Sequence, residues 1–156
     1  MSQREEILDM AIHALAPLMS AQQNASAYDL FDDAVDIAYR LVSCVDYTAA
    51  KTKGVERDEL LDMSVHALSA LLKGRPDMSV GDLLGECMAV AQSLIEKVDA
   101  VICNGNEDLR EELLDLAVHA QTAFLVGREQ IDAHVLAGEC VAVAQALIEK
   151  VDGTVV

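Results

Sequence analysis

Three times along this 156-residue chain an aspartate stands four residues ahead of a histidine: Asp9/His13, Asp62/His66 and Asp115/His119. Residues four apart share a helix face, so each pair offers a carboxylate and an imidazole to one divalent cation. Glu86 and Glu139 add oxygen donors, giving a candidate metal set of Asp62, His66, Glu86, Asp115, His119 and Glu139. Against that use, the helical wheel turns the histidines roughly 140° from core positions such as Leu61, onto an outer face. Di-iron helical bundles use an inward Glu-x-x-His instead, so spacing and direction both differ.

A second constellation is carboxylate only. Glu111-Glu112-x-x-Asp115 and Glu149-x-x-Asp152 fall at one end of a helical hairpin, and Asp58-Glu59-x-x-Asp62 with Glu96-x-x-Asp99 repeat the pattern. The pattern resembles the E-E-x-x-E and E-x-x-D motifs of all-α, MazG-like nucleotide pyrophosphohydrolases. That resemblance implies Mg²⁺-dependent phosphate chemistry on these carboxylates. This chain departs from the family in a longer gap between motifs, in Ser43 where the first copy needs a Glu, and in lacking a Lys/Arg cluster for phosphates. Carboxylates in a first helical turn also have a plainer use, since they oppose the helix dipole.

Cysteine chemistry has little to stand on. Cys87 and Cys140 fall within an apolar stripe with no basic neighbour to lower their pKa, so they read as small hydrophobes. Lys97, Lys150, Arg57 and Arg110 read as salt-bridge and solubility residues.

The widest chemical feature is charge. The net charge is −16, divided as −4, −5 and −7 over residues 1–53, 54–106 and 107–156. Such a field repels phosphates and anionic membrane surfaces and favours basic partners. Glu5, Glu6, Asp9, Asp58, Glu59, Asp62, Glu111, Glu112 and Asp115 would line up if the helices carrying them lie side by side. Asp29, Asp32, Asp33 and Asp36 would extend that face. Carboxylates at phosphate-like intervals would let the chain mimic DNA before a basic nucleic-acid-binding protein, as phage or mobile-element inhibitors of host defence do. The expectation is therefore a non-enzymatic, protein-binding chain that needs no cofactor and contacts neither nucleic acid nor membrane. A metal-dependent helical enzyme is the alternative.

The elements that must carry these residues follow from an internal repeat, the strongest signal in the sequence. From Arg57/Arg110 to Asp99/Asp152, 26 of 43 pairs are identical at a spacing of 53 residues. The first copy, Arg4 to Asp46, keeps 16 of 43 against the second. Copies are assigned to 1–53, 54–106 and 107–156, within one domain.

Each copy splits into helices A and B. In the second, Leu61, Ser64, Val65, Leu68, Leu71 and Leu72 recur at three- and four-residue steps over about 56–73, one stripe of a helix. Gly74 and Pro76 mark its stop. Helix B starts at Ser79 with Asp82 as a capping box; Ser26/Asp29 and Asp132 start its counterparts, and Asn106 caps the last A helix. Leu83, Cys87, Val90, Ala91, Leu94 and Val98 form its apolar stripe, widened by Leu84, Met88 and Ile95. Pro17 should kink or shorten the first helix.

Short A–B loops force antiparallel neighbours. The fold expected is all-α: three tandem antiparallel hairpins, six helices, as a short solenoid or a closed pseudo-threefold bundle. Apolar residues are 53% and aromatics only 3%, so the core must be aliphatic. An exposed apolar patch around Met88 and Ile95 would make a homodimer. The N-terminus, Met1-Ser2-Gln3-Arg4, has no apolar signal core, and four cysteines without a C-x-x-C pair read as reduced thiols in a cytoplasm.

Overall fold

The computed structural model describes residues 2–22, 24–74, 79–102, 105–125 and 131–154. They form six α-helices and, among the described residues, no strand: α1 (Gln3–Ala21), α2 (Ala27–Lys51), α3 (Arg57–Gly74), α4 (Val80–Val101), α5 (Glu107–Leu125) and α6 (Ala133–Thr154). Among the described residues no helix is long and apolar enough to cross a membrane.

Helix starts are written in the caps. Ser2 and Ser26 each hold a full capping box with Glu5 and Asp29, side-chain oxygens covering N–H groups that the first turn leaves without partners. At α4 the Asp82 N–H donates to Ser79 Oγ (3.3 Å). At α5 the Leu109 N–H donates to Asn106 Oδ1 (3.1 Å). Asp132 caps α6 alone, accepting from His134 N (3.0 Å) and Val135 N (3.4 Å). Both B–A joints use a glycine in the left-handed region, Gly54 at φ 80° and Gly105 at φ 69°, where a Cβ would be strained.

Pro17 does not shorten α1, which runs on to Ala21. Proline lacks the N–H that would bond the carbonyl of His13, four residues back. Ser69 Oγ of α3 donates to that carbonyl instead (3.2 Å).

The chain divides into two compact units, Met1–Met88 and Ala89–Val156, the division falling inside α4. In the first, sequential helices pack antiparallel, α1 on α2 and α2 on α3, and α1 also lies along α3. In the second, α5 packs on α6. The stripes read from sequence are buried: Leu61, Ser64, Val65, Leu68, Leu71 and Leu72 in α3, and Leu83, Cys87, Val90, Ala91, Leu94 and Val98 in α4. Leu84, Met88 and Ile95, which widen the α4 stripe, are buried too, so they offer no exposed patch for a homodimer. Gln121 occupies the place where the second copy has Leu68. It is fully buried, and among the described residues neither its Oε1 nor its Nε2 has a hydrogen-bond partner.

Candidate functional site

The acidic face begins where α1 lies beside α3. Glu6, Asp9, Asp58 and Asp62 line a cleft of about 330 Å³ with Met10, Leu61 and Arg57. Helical spacing explains the grouping, because Asp9 and Asp62 follow Glu6 and Asp58 by three and four residues, on the same face of each helix.

Arg57 is committed to the fold. Its Nη1 and Nη2 donate to Glu6 Oε2 (2.9 Å) and Oε1 (2.5 Å). Its Nε donates to Asp46 at the end of α2, and Nη1 also reaches Asp58 Oδ1 (3.2 Å). Hydrogen bonding to Arg57 holds the Glu6 carboxyl below its ordinary range, against the opposing effect of burial. The guanidinium is raised in turn by Glu6 and Asp46. Glu6 is buried, so this member of the expected binding face is an internal ion-pair partner rather than a surface carboxylate. Arg110 repeats the arrangement in the second unit, donating from Nε to Asp99 Oδ1 (2.6 Å). The alignment of the copies pairs Arg57 with Arg110 and Asp46 with Asp99.

Asp9, Asp58 and Asp62 remain exposed. The other expected carboxylates are distributed less uniformly. Glu5 and Asp29 are exposed but serve their capping boxes. Asp32 and Asp33 are exposed on α2, while Asp36 pairs with Arg40 (3.2 Å). Glu59 is half-buried. Glu111, Glu112 and Asp115 are exposed on α5, in the second unit.

Each Asp-x-x-x-His pair adopts one geometry. His13, His66 and His119 place Nδ1 at 2.7, 2.8 and 2.6 Å from the carbonyl oxygens of Asp9, Asp62 and Asp115. A carbonyl can only accept, so each Nδ1 carries a proton. The aspartate carboxylates sit 3.6, 3.7 and 3.6 Å from the same nitrogens, and a protonated ring nitrogen has no lone pair to give a metal. His13 and His66 approach with ring centroids 6.1 Å apart. Glu86 and Glu139 are half-buried on α4 and α6. Among the described residues no three His, Cys, Asp or Glu side chains converge as a cation site. Asp99, in the pyrophosphohydrolase-like pattern, is an ion-pair acceptor for Arg110.

Cys87 and Cys140 are buried free thiols. Burial, with a smaller push from Glu86, drives the Cys87 pKa up. Burial and then Glu139 push Cys140 up to about 12. Cys103 lies outside the described residues.

Sequence reasoning missed a cleft of about 690 Å³ between α2 and the start of α4, where Tyr39, Cys44, Tyr47, Leu84 and Met88 meet. Its one legible sign was two of the chain's three tyrosines, eight residues apart on α2. It also missed Ser93 Oγ against His134 Nδ1 (3.2 Å), since His134 stands outside the repeated Asp–His pattern.

Comparison with protein-family models, with curated proteins and with solved structures gave no match.

Proposed function

We propose that the protein is a non-enzymatic binding module, its three hairpins stacked in chain order as a short solenoid, whose acidic face receives a basic protein partner. The observation that carries this reading is the α1–α3 cleft. Asp9, Asp58 and Asp62 stand exposed there, while Arg57, the cation among them, is shared by Glu6, Asp46 and Asp58. The face therefore presents excess negative charge on a helical surface, on a chain of net charge −16. A Lys/Arg-rich surface, such as the nucleic-acid site of a DNA- or RNA-binding protein, has the complementary potential. The stacking is supported by the packing of α3 on both α1 and α2, and by the like ion pairs of Arg57 and Arg110. Reduced, buried thiols suit a cytoplasmic setting.

The test has two arms. Immobilised protein is expected to capture a basic protein from lysate at low salt and release it at high salt, because exposed charge pairs are screened over about 8 Å at physiological ionic strength. Calorimetry with Mg²⁺, Mn²⁺ and Zn²⁺ is expected to show no tight site. A micromolar site on each hairpin would replace this reading with the metal-dependent one.

A further inference from the structure

Positions that are equivalent in the repeat differ sharply in exposure, and the difference depends on which copy they belong to. In α3, Leu61, Val65 and Leu72 are no more than 7% exposed. Their equivalents in α1, Leu8, Ile12 and Met19, are 41 to 59% exposed. In copy 2, α3 packs on α1 and α2. The same holds on the neighbouring helix, where Phe31 and Val35 of α2 are exposed and the equivalent Leu84 and Met88 of α4 are buried.

The last helix shows the converse. Ile37, Leu41 and Val45 of α2, which has α3 beside it, are no more than 3% exposed. Their equivalents in α6, Val143, Leu147 and Val151, are 44 to 48% exposed. The first hairpin thus bares the apolar face that α3 buries, and the last bares the apolar face that α2 buries.

Charge follows the same logic. At the internal joint Arg57 pairs with Asp46 of α2 and with Glu6 of α1. The equivalent of Arg57 in copy 1 is Arg4, and the equivalents of Asp46 and Glu6 in copy 3 are Asp152 and Glu112. All three are exposed, and none makes an ion pair among the described residues.

We infer that the protein self-associates head to tail: α1 and α2 of one copy dock on α6 of a second as α3 docks on α2, with Arg4 entering between Asp152 and Glu112. The inference rests on the stacking proposed above. The contact is heterologous, so each added copy leaves a fresh head and a fresh tail. Copies carrying −16 each repel at low ionic strength, so added salt strengthens the association by screening the net charge.

Sedimentation velocity of the full chain from micromolar to near-millimolar concentration, in low and moderate salt, tests this. The mass is expected to climb from 16.8 kDa with concentration, more steeply in moderate salt. Leu8→Glu/Ile12→Glu blocks the head and Leu147→Glu/Val151→Glu blocks the tail; all four sites are half-exposed, and circular dichroism checks that helix content is kept. Each variant alone is expected to stay monomeric, with association weakened at least about tenfold, while an equimolar mixture forms a dimer through the intact head of one and the intact tail of the other. Dimerisation of either variant alone, or a mixture that stays monomeric, overturns the inference. An Arg4→Cys/Asp152→Cys chain separates the two readings. A wild-type monomer without an intrachain 4–152 disulfide in that variant defeats self-association and leaves the stacking intact. An intrachain disulfide means the chain closes on itself, and defeats both.

Discussion

Ser69 Oγ donates a 3.2 Å hydrogen bond to the carbonyl of His13, the acceptor that Pro17 is unable to serve. A helix interrupted by proline is thereby repaired from the neighbouring helix, and α1 reaches Ala21. The repair is testable as a coupling. Ser69→Ala is expected to cost about 1 kcal/mol in urea unfolding, the net worth of one hydrogen bond. In a Pro17→Ala background, where residue 17 supplies its own N–H, the same substitution is expected to cost markedly less. Equal costs in both backgrounds would show that Ser69 does not compensate for the proline.

Gln121 holds a buried primary amide without a hydrogen-bond partner among the described residues, where the second copy has Leu68. Leaving a buried polar group unsatisfied costs about 1–3 kcal/mol. Gln121→Leu is therefore expected to raise the unfolding free energy by an amount of that order. Loss of stability on this change would mean the amide has a partner.

Glu6 titrates below its ordinary range because Arg57 binds it. A depressed folded pKa contributes stability that is fully present above the unfolded value of 4.5. That contribution fades as pH falls through the folded pKa. Glu6→Gln is expected to flatten the acid limb of stability against pH below about 4.5. Arg57→Met, which leaves the carboxylate buried alone, is expected to cost about 1–3 kcal/mol at pH 7. An unchanged acid limb in Glu6→Gln would contradict the ion pair.

Cys87 and Cys140 are protonated and buried at neutral pH. With iodoacetamide at pH 8, both are expected to react far more slowly than Cys44, which is half-buried. Denaturant should abolish the difference. Rapid native labelling of Cys140 would contradict its placement.

Much of the helical architecture was legible because its signals are local. The three- and four-residue apolar steps, the Ser26 and Ser79 caps and the lone Asp132 cap all depend on residues within a turn or two of each other. What depends on neighbours was not legible. Leu94 and Leu147 are the same residue in the same local sequence, yet one is buried and the other half-exposed, because exposure is set by what stands beside the helix. Glu6 looked like a surface carboxylate and is Arg57's partner across 51 residues. Pro17 reads as a residue that kinks or shortens α1 because Ser69 lies 56 residues past the carbonyl it serves.

The central claim is that exposed carboxylates between α1 and α3 hold a basic protein. Its most direct test compares wild-type protein with Asp9→Asn/Asp58→Asn/Asp62→Asn in affinity capture from lysate, eluted with a salt gradient. The expected result is a basic protein that wild type retains at low salt and releases as salt rises, and that the triple variant, folded by circular dichroism, fails to retain. Equal retention by both proteins, or retention indifferent to salt, would contradict the claim.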